Sequence, residues 1–155
     1  MEKLLAVTVL LIASLIHDSE ERCHRTCIDG WTRYGNRCYK FFNTKMTWDN
    51  AEIACSNATK DGHLTSITTE AENNFMVELV KAVDQSVPPV WTGGNDLAKK
   101  YTWAWVDGTS FSYANWNPGE PNNSGSEDCI QMNWGNPGGW NDKKCREVYP
   151  FICRY

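Results

Sequence analysis

The chain has 155 residues, a formal net charge of −4 and seven cysteines. Its length accommodates one domain with a hydrophobic core, and the mild negative charge argues against nucleic-acid binding, which needs a basic face. Eight tryptophans in a chain of this size indicate a loop-rich domain whose irregular segments pack against large aromatic side chains.

Residues 1–17 have the pattern of a secretory signal peptide. Lys3 precedes an apolar run over residues 4–16, which is shorter than the roughly 20 residues that a membrane-spanning helix needs. We therefore expect removal of residues 1–17, a short N-terminal segment over 18–26, no membrane span, and a secreted, extracellular protein. All seven cysteines follow residue 17, and in an oxidising compartment they predict a disulfide framework with one thiol left over.

Two helices are predicted in the first half of the chain. Thr47 is suited to cap a helix that runs to about Asn57. The Thr69-x-x-Glu72 spacing is a capping box, which satisfies unpaired backbone donors at a helix start, and this second helix ends before Pro88. The apolar side chains expected on its inner face are Phe75, Met76, Leu79, Val80 and Val83.

Short strands are predicted around and after these helices, and Asp107-Gly108 is interpreted as a hairpin turn. Residues 111–126 show no sustained periodicity. A loop of that length in a compact domain is usually functional or disordered, and its aromatic residues Tyr113 and Trp116 favour an ordered one. Because most strands follow the helices, the predicted class is α+β. The strands are expected over residues 38–42, 64–67, 90–93, 103–106, 130–134 and 150–154.

Carboxylate and carboxamide side chains are concentrated towards the C-terminal end. The segments concerned are Glu120-Pro121-Asn122, Glu127-Asp128-Cys129 and Trp140-Asn141-Asp142. Hard cations such as Ca²⁺ take oxygen ligands of this kind. A zinc site would need His or free Cys, but no His follows His63 and the nearby cysteines are expected in disulfides. The pattern therefore indicates a Ca²⁺ site on a loop.

Together with Trp91-Thr92-Gly93-Gly94 and the cysteine spacing, these segments resemble a C-type lectin domain over residues 27–155, in the manner of small secreted fish lectins. The resemblance implies the C-type lectin fold, with two helices, antiparallel sheets and a long calcium-binding loop. It also implies three intrachain disulfides. Cys23 then has no partner among these pairs. It could form an interchain bridge in a homodimer or remain a free thiol. The implied pairs are Cys27–Cys38, Cys55–Cys153 and Cys129–Cys145.

The same resemblance implies that Ca²⁺ and carbohydrate share one set of residues: Glu120, Asn122, Glu127, Asn141 and Asp142. In the family the peptide bond before the proline is cis, which turns Glu120 and Asn122 to the same side. Two neighbouring sugar hydroxyls complete the Ca²⁺ coordination, and each donates to a carboxylate and accepts from a carboxamide. The order Glu-Pro-Asn is similar to that of members that bind mannose, fucose or N-acetylglucosamine, whereas Gln-Pro-Asp is associated with galactose.

An auxiliary Ca²⁺ in this family would use Asp96, Glu127 and Asp128. However, Lys100 and Asn123 stand where further acidic residues are expected. The positive charge of Lys100 would repel Ca²⁺, which argues against this second site.

Parts of the sequence are also compatible with functions other than carbohydrate binding. Paired carboxylates also serve in glycoside hydrolysis, but no nucleophile and base accompany them, so we expect no enzymatic activity. The main alternative is a C-type-lectin-like protein that binds ice, as certain fish antifreeze proteins do, or a protein ligand. The intact Glu-Pro-Asn and Trp-Asn-Asp segments favour a lectin with Ca²⁺ as cofactor and cell-surface or microbial glycans as partners.

Overall fold

A computed structural model describes residues 26–155, so the predictions for the signal peptide and for Cys23 lie outside the described residues. The strands within this range are β1 (Thr32–Tyr34), β2 (Arg37–Met46), β3 (His63–Leu64), β4 (Val90–Asn95), β5 (Ala104–Trp105), β6 (Cys129–Met132), β7 (Trp140–Lys143) and β8 (Tyr149–Arg154). The helices are α1 (Trp48–Ala58) and α2 (Glu70–Lys81). The α+β class is confirmed. No helix in residues 26–155 has the length and apolar character needed to cross a membrane.

The strands form one sheet in the order β1-β2-β8-β4-β6-β7, while β3 pairs with β8 and β5 pairs with β4. The resemblance implies antiparallel sheets, and the other strand pairs are antiparallel, but β4 and β8 run parallel, with Trp91 opposite Phe151. Parallel neighbours need a long connection, and here that connection contains β5, β6 and β7. The last strand thus lies inside the sheet, where it links the N-terminal strands to those that carry the candidate site.

The two helix starts differ in how they are capped. Thr47 occupies the N-cap position of α1, but its side chain makes no capping hydrogen bond. At α2 the Thr69 hydroxyl accepts a hydrogen bond from the Glu72 N–H at 3.1 Å, as the capping box predicts. The Glu72 carboxylate accepts from the N–H and hydroxyl of Thr68, both at 2.6 Å. The reciprocal half of the box therefore involves Thr68 instead of Thr69.

Three local predictions were wrong. Helix α2 ends at Lys81, and Val83, expected on its inner face, is 63% exposed. The strand expected over residues 64–67 is only the short β3, and in the described chain no strand directly follows the Asp107-Gly108 turn. The Asp107 side chain explains the last difference. It pairs with Arg154 on β8 and accepts from a backbone N–H two residues later, so the chain does not turn back along β5.

The three disulfides have the implied pairing. Cys27–Cys38, Cys55–Cys153 and Cys129–Cys145 have Cα–Cα distances of 5.7, 5.3 and 5.3 Å. The second joins α1 to β8, and the third links the start of β6 to the segment after β7. A bridge that closes a loop of about 100 residues contributes about 4–5 kcal/mol to stability, and one that closes a loop of about 15 residues contributes about 3 kcal/mol.

Trp140, at the start of β7, orders the long loop that joins β5 to β6 (residues 106–128, called the long loop below). The Trp140 ring is buried and packs edge-on against Tyr113 and Trp116, with centroid distances of 5.6 and 5.7 Å. Its backbone N–H donates to the Asn115 carbonyl and its carbonyl accepts from the Asn117 N–H, both at 2.9 Å. The long loop is thus hydrogen-bonded to β7 immediately before Asn141.

Asn73 connects α2 to this tryptophan. The Trp140 indole N–H donates to Asn73 Oδ1 at 2.8 Å, and Asn73 Nδ2 donates to the Gly138 carbonyl at 3.1 Å. We predict that Asn73→Ala lowers the free energy of unfolding by about 1–3 kcal/mol, because it leaves a buried indole N–H without an acceptor. Urea unfolding followed by circular dichroism measures this change.

The matched control is Asn74→Ala. Asn74 is the next residue of α2 and is exposed, so we expect this variant to unfold within about 0.5 kcal/mol of the wild type. Equal stability of the two variants would contradict a structural role for the Asn73–Trp140 hydrogen bond.

Candidate metal and carbohydrate site

Glu120 and Asn122 lie on the same side of the long loop. The Glu120–Pro121 peptide bond is cis, as the resemblance implies. Asn122 donates twice to the Glu120 carboxylate, from Nδ2 at 2.9 Å and from its backbone N–H at 3.0 Å. The acid and the amide of Glu-Pro-Asn therefore form one hydrogen-bonded pair on the protein surface.

Asp142 connects this pair to the sheet. Its side chain is fully buried, and its two oxygens accept from the backbone N–H groups of Asn122 at 2.9 Å and Asn123 at 2.7 Å. Asp142 lies on β7, two residues after Trp140. The buried strand thus positions a carboxylate directly beneath the loop residues with which it is predicted to act.

The Glu120 and Asp142 carboxyl groups interact directly. Burial, followed by the interaction with Asp142, raises the pKa of Glu120, although the donors of Asn122 oppose this change. Among the described residues neither carboxylate forms an ion pair with Lys, Arg or His. Two neighbouring carboxylates that lack a cationic partner favour the binding of a cation between them.

The donor atoms suit Ca²⁺. Within residues 26–155, no three His, Cys, Asp or Glu side chains come together as a metal-binding group, so a metal at Glu120 and Asp142 would also need amide oxygens. Asn122 and Asn141 can supply them. A mixture of carboxylate and amide oxygens is the ligand set of Ca²⁺ and not of zinc. The residues predicted from the sequence to hold the ion are Glu120, Asn122, Glu127, Asn141 and Asp142.

Glu127 and Asn141 make different contacts from the other three. Glu127 is 5% exposed, and its Oε1 lies 3.5 Å from the Lys143 ammonium. Asn141 donates from Nδ2 to Gln131 Oε1 at 3.5 Å, which is consistent with their opposite positions in the β6–β7 pairing. The five predicted residues therefore lie on the long loop and β7, but only Glu120, Asn122 and Asp142 are joined by hydrogen bonds.

Lys143 is a neighbour of the site that the sequence motifs did not indicate. Lys143 is two residues after Asn141 on β7, and residues at that spacing share one face of a strand. That periodicity would have placed its ammonium next to the predicted ligands. Lys143 therefore places a positive charge beside Glu127, and this charge would repel a Ca²⁺ ion bound to the Glu127 carboxylate.

The three residues considered for an auxiliary Ca²⁺ surround Lys100. Its ammonium contacts the Asp128 carboxylate, lies 3.9 Å from Asp96 Oδ2 and donates to the Glu127 carbonyl at 3.3 Å. Burial is the largest influence on Asp96 and raises the pKa of its carboxyl group, although the Tyr101 N–H and Lys100 oppose that change. A lysine side chain thus supplies the positive charge here, which agrees with the argument against a second Ca²⁺.

Comparisons with known proteins identify relatives along nearly the whole chain. The family described as Lectin C-type domain matches residues 44–155. A mannose-binding isoform of C-type lectin from Oxyuranus scutellatus is 36% identical over 159 residues, covering 99% of this chain and 98% of that protein. The galactose-specific lectin nattectin from Thalassophryne nattereri is 35% identical over 133 residues, covering 85% of this chain and 82% of that protein.

A solved structure of herring type II antifreeze protein has the same fold. It matches with a TM-score of 0.76 and 33% identity, covering 83% of this chain and 98% of that chain. The names of these three similar proteins specify mannose, galactose and antifreeze activity. The ligand of the present chain therefore has to be argued from the residues of its own site.

We predict that Lys143→Met tightens Ca²⁺ binding. A Ca²⁺ ion held by Glu127 would lie several ångströms from the Lys143 ammonium, and removing this repulsion is worth about 1 kcal/mol in a partly exposed site. The expected result is a Kd for Ca²⁺ that is lower by about three- to tenfold. Isothermal titration calorimetry at fixed ionic strength measures it.

Lys60→Met is the matched control. It removes the same charge from an exposed residue just after α1, outside the long loop and β7, and Lys60 has no carboxylate partner among the described residues. We expect a change of less than about twofold, because a more distant charge is screened by solvent and salt. If both variants changed the Kd equally, the effect would come from net charge and not from the Lys143–Glu127 pair.

Proposed function

The chain belongs to the C-type lectin domain family, and on that basis we propose that it is a secreted, Ca²⁺-dependent lectin for mannose-, fucose- or N-acetylglucosamine-type sugars. The observation that carries the proposal is the hydrogen-bonded group of Glu120, Asn122 and Asp142 at a surface loop. Among the described residues, neither of its two carboxylates forms an ion pair with Lys, Arg or His. Its partners would be glycans on cell or microbial surfaces, and its activity would be binding without catalysis.

In the proposed mechanism, carboxylates and amides have different roles. Bound Ca²⁺ would supply coordination positions for two neighbouring hydroxyls of a sugar. Glu120 and Glu127 accept the hydroxyl protons, while Asn122 and Asn141 donate to the hydroxyl oxygens. Asn141 can exchange its present partner at little cost, since its 3.5 Å hydrogen bond to Gln131 is at the limit of such contacts.

The proposed sugar class follows from the order of acid and amide in the loop. Glu120 precedes Asn122, and the two side chains are already paired at 2.9 Å. This is the order that resembles mannose-type members of the family, and the mannose-binding relative supports the same class. The galactose-specific relative has a comparable identity, so overall similarity favours neither sugar and the Glu-Pro-Asn segment decides the proposal.

Ice binding is the second candidate because of the likeness to herring type II antifreeze protein. The two functions are detected by different measurements. Sugar binding is detected as Ca²⁺-dependent retention on an immobilised sugar, and ice binding is detected as thermal hysteresis. Both measurements can be made on the same preparation.

The described disulfides support secretion. Three such bonds in one small domain form and persist in an oxidising compartment. They also account for six of the seven cysteines in the sequence, and Cys23 is the seventh. We propose that Cys23 links two copies, since two sites on one molecule raise avidity by roughly 10²–10⁴ when they can bind together.

The first prediction for this function concerns sugar preference. The secreted protein should be retained on immobilised mannose in millimolar Ca²⁺ and released by EDTA. The double variant Glu120→Gln with Asn122→Asp reverses the order of acid and amide, so its preference should shift towards galactose. Elution from parallel mannose and galactose columns measures the shift.

The control is Glu78→Gln with Asn74→Asp, which makes the same two changes on the exposed side of α2 and should leave mannose retention unchanged. Failure of the wild type to bind mannose, fucose or N-acetylglucosamine, with Ca²⁺ binding intact, would overturn the proposed sugar class. Thermal hysteresis in that preparation would assign the protein to ice binding.

The second prediction concerns valency. Cys23→Ser should abolish Ca²⁺-dependent agglutination while the affinity for a monosaccharide stays within about twofold, because the change alters the number of linked sites and not the site itself. Haemagglutination together with non-reducing electrophoresis measures both features. Normal agglutination by the variant would show that a noncovalent interface provides the valency.

A further inference from the structure

Trp134 is a large aromatic residue exposed beside the proposed site. It is 45% exposed, whereas the other seven tryptophans are buried or half-buried. It lies between β6 and β7, directly after Asn133. A single exposed apolar side chain needs no special explanation, so its meaning depends on its position and on how it is held.

The position of Trp134 follows from its contact with Lys143. The Lys143 ammonium lies 5.4 Å from the centroid of the Trp134 ring and 3.5 Å from Glu127 Oε1. These two distances place the ring within about 9 Å of a carboxylate that the proposed lectin site uses. A further residue of an oligosaccharide whose first residue is held at the Ca²⁺ can therefore reach the ring.

The backbone of Trp134 is fixed by hydrogen bonds. Its carbonyl accepts from Asn117 Nδ2 at 2.6 Å and from the Asn136 N–H at 2.8 Å. The preceding Asn133 accepts from the Gly138 N–H at 2.8 Å. Asn117 belongs to the long loop that carries Glu120, so this bond also connects the segment of Trp134 to the proposed site. The ring is thereby presented to solvent on a well-ordered turn.

The chemistry of the ring suits a carbohydrate. One face of a pyranose carries C–H groups, and an aromatic ring offers such a face a flat, apolar surface with a negative quadrupole. When the polar groups of a binding site are already used by the first sugar of a glycan, packing of this kind can add affinity for the second sugar. Fixing the ring in advance reduces the entropy lost on binding.

We propose that Trp134 forms a second sugar subsite, which packs against the residue next to the one held at the Ca²⁺ site. The ligand class is then an oligosaccharide of at least two residues and not a monosaccharide. This inference rests on the proposed lectin function. It identifies Trp134 as a specificity-determining residue that contacts the glycan without holding the metal.

The test compares Trp134→Leu with Trp134→Phe. Leucine keeps an apolar side chain but loses the flat ring, whereas phenylalanine keeps a ring. Isothermal titration calorimetry in millimolar Ca²⁺ would measure the Kd for methyl α-mannoside and for a mannose trisaccharide. We expect Trp134→Leu to weaken trisaccharide binding by about three- to tenfold and to change monosaccharide binding by less than twofold. Trp134→Phe should keep most of the trisaccharide preference.

Ile53→Ala is the control for the loss of an exposed apolar side chain, since Ile53 lies on α1 and is also exposed. It should change neither Kd. Equal loss of mono- and trisaccharide binding in Trp134→Leu, or an unchanged trisaccharide Kd, would overturn the subsite while leaving the lectin proposal intact. A wild-type protein that binds neither sugar in Ca²⁺ would overturn both.

Discussion

The burial of Trp140 is the constraint on which the rest of the candidate site depends. Its ring packs against aromatic residues of the long loop, its indole N–H binds Asn73 of α2, and its main chain pairs with the loop on both sides of Trp116. Ordering a long segment without regular structure costs conformational entropy, and these contacts offset that cost. Because Asn141 and Asp142 follow Trp140 directly, the same packing that orders the loop also aligns it with β7.

The charges around the loop are arranged in two different ways. Asp96 and Asp128 share the ammonium of Lys100, which forms an ion pair with each carboxylate. Glu120 and Asp142 have no such partner among the described residues, and burial, followed by the interaction with Asp142, raises the pKa of Glu120. The chain thus supplies its own positive charge at one acidic pair and leaves the other suited to an external cation. Glu127 interacts with two lysines. Lys100 donates to its backbone carbonyl, and the Lys143 ammonium lies 3.5 Å from its carboxylate.

Membership of the family does not determine the ligand, which depends on a small number of side chains. Relatives whose names specify mannose, galactose and antifreeze activity are all 33–36% identical to this chain, and the antifreeze protein has the same fold. The scaffold presents a loop, and the side chains of that loop determine its chemistry. In this chain those side chains are an acid followed by an amide at Glu120 and Asn122, with the exposed ring of Trp134 nearby.

Local patterns in the sequence were sufficient for the α+β class, the two helices and most strands, since capping residues and apolar periodicity act over a few neighbouring residues. The resemblance carried by the motifs supplied the disulfide pairing and the candidate ligands. Only the tertiary structure decided the parallel β4–β8 pair, the course of the chain after Asp107 and the lysines beside the acids. Each of these depends on contacts between residues far apart in the chain, so its energy has no counterpart in any local pattern.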